Sequence, residues 1–183
     1  MLISGNKNFG LSQALEKLYP DAVFASRTTG FDLLNSEDQD KFASLSTEHN
    51  IIILCSSLYR FNQTVLLDKV YNSCIAINHN PHIICIGSTV ERTTHGRGLY
   101  SSDKVALKDY CNRISQDGVW SNKPKVTYAS FGRMSNTPDP IKKSLNIDDI
   151  ASYIKWLIDQ PRHIAINEIS IEAMQNKQWY NSP

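Results

Sequence analysis

The sequence predicts an α/β fold, a doubly wound parallel sheet with helices on both faces in a three-layer α/β/α arrangement. Three observations lead there. Strand-like and helix-like segments alternate along the whole chain, the pattern of successive βαβ units. Two candidate strands, Ile51-Ile52-Ile53-Leu54-Cys55 and His82-Ile83-Ile84-Cys85-Ile86-Gly87, are almost unbroken apolar runs, as strands covered on both faces are. The first strand runs into a glycine-containing turn that opens a helix.

Taken in order, the first strand covers about residues 1–4, and a helix follows from about Gly10 to Leu18. Ala22-Val23-Phe24-Ala25-Ser26 forms the second strand, and Gly30-Phe31-Asp32-Leu33 reads as a short third. Ser36-Glu37-Asp38-Gln39 has the S-x-x-Q form of a capping box, opening a helix to about Thr47. A helix from about Phe61 to His79 joins the two apolar strands. A longer one from about Leu99 to Gln116 precedes the strand Lys125–Ala129. The last helix begins near Asn146, whose side chain caps it ahead of Asp148 and Asp149 at the positive end of the dipole. The final strand is Ile164–Ile171. With no repeat, low-complexity segment or linker, residues 1–183 read as one domain.

The chain has 183 residues, 41% apolar and 20% charged, which is the composition of a soluble globular protein able to bury a core without metals or disulfides. A net charge of +1 argues against a nucleic-acid binder, which concentrates basic charge. No apolar run approaches the roughly 20 residues of a membrane span. Met1-Leu2-Ile3-Ser4 already reads as a strand, so no signal peptide is expected before the fold. Cys55, Cys74, Cys85 and Cys111 form no C-x-x-C pair, which suggests reduced, buried thiols in a cytoplasmic protein. The histidines show no metal-binding spacing, and no metal site is expected.

The first turn reads Ser4-Gly5-Asn6-Lys7-Asn8-Phe9-Gly10-Leu11-Ser12. Glycines here let the backbone approach a pyrophosphate, whose charge a helix N-terminus stabilises. Ser12 stands where a third glycine is usual. The second strand ends in Ser26-Arg27-Thr28-Thr29, where NAD-binding folds place an acid for the ribose 2′-hydroxyl. A guanidinium and hydroxyls suit a 2′-phosphate instead, so NADP(H) is expected ahead of NAD(H), with Lys7 adding charge. Asp32, followed by Leu33, would accept a hydrogen bond from the adenine amine. The plain alternative for Arg27 is a solvated surface arginine.

Tyr100-Ser101-Ser102-Asp103-Lys104 is a Y-x-x-x-K pattern on a predicted helix, which sets phenol and ammonium on one face. Ser88 ends a buried strand at the carboxyl edge where open α/β sheets bind ligands, and Asn62 opens the preceding helix. This constellation, Asn62…Ser88…Tyr100-x-x-x-Lys104 behind an N-terminal glycine turn, resembles the short-chain dehydrogenase/reductase family over nearly the whole chain. Asp149-Ile150-Ala151 and Asn167-Glu168-Ile169 look like that family's C-terminal third. The resemblance implies a Rossmann fold and NADP(H)-dependent interconversion of a carbonyl and an alcohol on a small molecule. Tyr100 would be the acid and base, and Ser88 would stabilise the carbonyl oxygen. Lys104 would favour the phenolate and hold the nicotinamide ribose, and Asn62 would support a water linking that lysine to solvent. It also implies cofactor contacts along Gly5, Lys7, Asn8, Phe9, Gly10 and Leu11, at Ser26, Arg27 and Thr28, and at Cys55, Ser56, Ser57, Phe131 and Gly132.

The chain departs from the family pattern in several places. Cys55-Ser56-Ser57-Leu58 stands where the family carries Asn-Asn-Ala-Gly, and Phe131-Gly132 replaces a Pro-Gly turn. The segment Arg133-Met134-Ser135-Asn136-Thr137-Pro138 leaves little room for a substrate lid. Thr89, Glu91, His95 and Met134 fall near the expected carbonyl position. A non-catalytic NADP(H)-binding sensor or scaffold is the first alternative. A nucleotide-sugar reductase or epimerase is the second, weakened by the lack of a substrate domain. By analogy with the family, helices 61–79 and 99–116 would pair across a two-fold axis into a homodimer or homotetramer.

Overall fold

The computed structural model describes residues 1–92, 98–136 and 144–174. The first half of the chain runs β1 (Leu2–Ser4), α1 (Gly10–Leu18), β2 (Val23–Ala25), α2 (Ser36–Ser46), β3 (Ile51–Leu54) and α3 (Asn62–Ala76). The second half runs β4 (His82–Ile86), α4 (Leu99–Trp120), β5 (Lys125–Phe131), β6 (Met134–Ser135), β7 (Leu145–Asn146), α5 (Ile147–Ile158) and β8 (Glu168–Ile171). Six of these strands form one parallel sheet in the order β2-β1-β3-β4-β5-β8, and β6 pairs with β7 in a separate ribbon. This is a three-layer, doubly wound Rossmann-like fold.

Alternation along the strands builds two cores. Leu2, Ile52, Leu54, Ile83, Cys85 and Val126 face α2, α3 and α4. Ile3, Ile53, Ile84, Ile86 and Ala129 face α1 and α5. Each fully buried aliphatic side chain contributes roughly 1.5–3 kcal/mol relative to exposure, so apolar runs of this kind specify burial on both faces. The chain leaves β1 toward β2 on one side and returns to β3 on the other. The strand order reverses there, and such a switch point opens a crevice beyond the carboxyl ends of the strands.

The structure corrects the reading of the second loop. Gly30–Leu33 forms no strand, and β2 is the edge of the sheet. Its backbone groups are spent locally: Asp32 N donates to Asp38 Oδ2, Leu34 N donates to Asp32 Oδ1, and Leu33 O accepts from Gln39 Nε2. The expected capping box is also displaced. Asn35 is the N-cap of α2 and accepts from Glu37 N, while Gln39 is buried and turned inward.

Other boundaries shift for identifiable reasons. Helix α4 runs past Gln116 through Gly118, where an added Cβ would lie 2.7 Å from Pro124 O, so glycine serves a close approach there. Helix α3 ends at Ala76, with Asn78 in the left-handed region at φ 55°. Strand β8 begins only at Glu168; two residues before it, Ile166 O accepts from the Thr127 hydroxyl. The cap at Asn146 is as expected, its side chain accepting from Asp148 N at 3.0 Å.

Candidate active site

The glycine turn after β1 shapes the floor of a cleft. Gly5 adopts φ +151°, its N donates to Ala25 O, and an added Cβ would stand 2.1 Å from Ser12 Oγ. Ser12, in place of a third glycine, is buried and its hydroxyl meets Cys55 Sγ at 3.5 Å. Burial pushes the Cys55 thiol pKa up, so it stays protonated. Gly10, at φ +57°, faces open space and starts α1. No side chain caps that helix and its first turn carries no acid. Its free N–H groups and positive dipole end therefore suit a phosphate.

The cleft has a volume of about 740 Å³. Gly5, Asn6, Phe9, Gly10, Leu11 and Ser12 line it from the turn, Ser26, Arg27 and Thr28 from the end of β2, Asp32 and Leu33 from the next loop, and Cys55, Ser56 and Ser57 from the end of β3. Arg27 lies on a short 3₁₀ turn, exposed, and has no ion-pair partner among the described residues. Beside it the Ser26 and Thr28 hydroxyls are 2.8 Å apart. A guanidinium with no ion-pair partner among the described residues, flanked by two hydroxyls, is able to hold a phosphate group in the same cleft as the uncapped N-terminus of α1. Lys7 and Asn8 are exposed on the turn outside the lining, and Asn6, whose Oδ1 accepts from Asn8 N, takes their place.

A second cavity of about 460 Å³ adjoins the first, sharing Met134 with it. Gly87, Ser88, Thr89, Val90, Tyr100, Phe131, Gly132 and Arg133 complete its lining. Ser88 follows β4 after Gly87, and its Oγ accepts from Val90 N at 3.4 Å. Tyr100 sits in the first turn of α4, 41% exposed. Lys104, one turn on, is 4% exposed, with its ammonium 5.6 Å from the centre of the Tyr100 ring. Burial lowers its pKa. The nitrogen donates to Gln63 Oε1 at 2.6 Å.

The structure thus gathers Ser88, Tyr100 and Lys104, and sets Asn62 apart. Asn62 Nδ2 donates to Tyr59 O and its Oδ1 accepts from Gln39 Nε2, so both ends are tied to the loop and to α2. Its neighbour Gln63 meets the lysine. A single residue step turns a helical side chain by about 100°, which spacing alone does not resolve. Glu91 is also turned away from the cavity. Its side chain is 2% exposed, accepting from Ser130 Oγ at 2.9 Å and Tyr128 Oη at 3.2 Å, with Lys108 Nζ at 3.9 Å. Burial pushes the Tyr128 phenol pKa up. This network pins the turn after Ser88 to β5. Phe131 is fully buried and Gly132 borders the cavity. His95 lies outside the described residues, as do Thr137 and Pro138 of the segment read as a partial lid.

No family model matches the chain, and no curated protein does. Solved structures match its fold. A short-chain dehydrogenase from Burkholderia cenocepacia J2315 in complex with NADP superposes with a TM-score of 0.71 at 13% identity, over 98% of this chain and 90% of that one. A 4-hydroxyisoleucine dehydrogenase complexed with NADH and succinate gives 0.71 at 19% identity, over 96% and 99%. The chain shares its fold with these two dehydrogenases. A ribose-5-phosphate isomerase from Brucella melitensis 16M superposes equally well, at 0.73 and 11% identity over 98% and 94%, so the likeness speaks for fold and leaves the chemistry to the residues. Among the described residues no helix is long and apolar enough to cross a membrane.

Proposed function

We propose that the chain is a short-chain dehydrogenase/reductase that uses NADP(H) to interconvert a carbonyl and an alcohol on a small molecule. One observation carries this reading: the cavity holding Ser88 and Tyr100 meets, at Met134, the cleft floored by the glycine turn and rimmed by Arg27. In reduction the Tyr100 phenol gives its proton to the carbonyl oxygen; in oxidation the phenolate takes the hydroxyl proton. The Ser88 hydroxyl donates to the same oxygen, where negative charge develops. Lys104 favours the phenolate through its charge and holds the nicotinamide ribose. NADP(H), when bound, supplies or accepts the hydride.

In this reading the cofactor is held by residues of both cavities and of the turn beside them. The N-terminus of α1, with Gly5, Gly10 and Leu11, takes the pyrophosphate. Arg27, Ser26 and Thr28 take the 2′-phosphate, with Lys7, Asn8 and Phe9 on the rim. Asp32 and Leu33 receive the adenine, Cys55, Ser56 and Ser57 the adjoining ribose, and Phe131 and Gly132 border the nicotinamide. The non-catalytic sensor is the second reading, favoured by the half-exposed setting of Tyr100. The test is a fluorescence titration with NADPH and NADH followed by a carbonyl-substrate screen. The enzyme turns over and its Tyr100→Phe variant loses most of that turnover, whereas a sensor binds NADPH with no turnover that depends on Tyr100.

A further inference from the structure

Gln63 is a buried polar side chain at the reaction centre that the family pattern did not single out. It is 4% exposed, in the first turn of α3. Its Nε2 donates to Leu54 O at 3.1 Å and to Ile86 O at 3.0 Å, the last residues of β3 and β4. Both amide hydrogens are thereby used. That fixes the orientation, because a flipped amide would set its oxygen against two carbonyl oxygens. The amide oxygen is left to the Lys104 ammonium, 2.6 Å away.

A buried ammonium without an acceptor is costly, so this contact matters to the charge state of Lys104. Asp103 on α4 and Glu91 also favour the charged lysine, and Cys55 after β3, Cys85 on β4 and Cys111 on α4 are its thiol neighbours. No carboxylate forms an ion pair with it among the described residues. A neutral amide supplies an acceptor without cancelling the charge, which a carboxylate would do. The charge therefore remains available to the Tyr100 ring beside it.

We infer that Gln63 is a positioning residue: it ties the Lys104 ammonium directly to the carboxyl ends of β3 and β4 and keeps a positive charge beside Tyr100. The inference rests on the dehydrogenase reading above, and it replaces the expected water relay through Asn62 with a direct side-chain contact.

The experiment compares wild-type protein with Gln63→Met in two readouts. The first is binding of adenosine 2′,5′-bisphosphate, a probe of the Arg27 half of the cleft that does not reach Lys104. The second is Tyr100 ionisation, taken as the ultraviolet difference between each protein and its Tyr100→Phe counterpart. Expected are unchanged bisphosphate binding and a Tyr100 ionisation moved about one pH unit to the alkaline side. Unchanged binding with unchanged ionisation overturns the role of Gln63 and leaves the dehydrogenase reading standing. No bisphosphate binding by wild-type protein overturns the cofactor reading itself. If Gln63→Met fails to fold, the side-chain amide resonance of Gln63 is followed by NMR in wild type and in Lys104→Met. A marked shift supports the contact, and an unmoved resonance overturns it.

Discussion

At the scale of single residues, the proposed function divides recognition and chemistry between Arg27 and Tyr100. Arg27 is exposed and unpaired among the described residues, so its replacement disturbs little of the fold. Charge-assisted hydrogen bonds are worth roughly 1.5–3 kcal/mol, and Arg27→Ala is therefore predicted to weaken NADPH binding about tenfold to a hundredfold. General acid–base groups contribute roughly a hundredfold to ten-thousandfold, and Tyr100→Phe is predicted to lose that much turnover while NADPH affinity, read by fluorescence, stays within about threefold. That Ser88, Tyr100 and Lys104 would lie near one another was legible from their spacing and from their places after β4 and on α4. Gln63 was not, since its role depends on which of two adjacent side chains turns inward at the start of α3. Met134 was legible as a neighbour of the carbonyl position, but its place between two cavities needed the small β6–β7 ribbon.

At the scale of elements, the turn after β4 is held by what lies beneath it. A Cβ on Gly87 would fall 2.2 Å from the Tyr128 ring, which is fully buried and bonded to Glu91. Overpacking of this kind costs roughly 1–3 kcal/mol, so Gly87→Ala is predicted to lower stability by that amount in chemical denaturation and to disturb Ser88. His82 ties β4 to β5 at the opposite edge of the sheet. The Thr127 hydroxyl donates to Ile166 O, so its oxygen accepts from His82 Nε2–H at 2.8 Å. Burial depresses the His82 pKa to about 3 from an ordinary 6.5. The fold thus favours the neutral ring: its stabilisation is complete above pH 6.5 and is lost as pH falls toward 3. The slope is up to about 1.4 kcal/mol per pH unit. Denaturation midpoints between pH 7 and 4.5 check this, with His82→Asn expected to lack that part of the slope. The strands and helices were legible from apolar periodicity; the loop at Gly30–Leu33 was not, because Asp32, Asp38 and Gln39 satisfy its backbone through side chains.

At the scale of the whole molecule, the parallel sheet and its switch point were legible from the alternation of elements and the two isoleucine-rich runs. What the sequence did not reveal was how the two cavities join along the carboxyl edge. Phe61 just before α3, Val65 on α3 and Val105 on α4 are exposed. These apolar side chains fit the proposed pairing of α3 and α4 with a second copy. Light scattering is predicted to give a dimer or tetramer at micromolar concentration, and a monomer would remove that proposal.

In the proposed function the cleft beyond β1 and β3 holds NADP(H), with Arg27 reading its 2′-phosphate. Fluorescence titration of the purified protein with NADPH and with NADH, repeated on Arg27→Ala, tests it most directly. NADPH is expected to bind more tightly than NADH to the wild-type protein, with the difference largely lost in the variant. Binding of neither cofactor by the wild-type protein would contradict it.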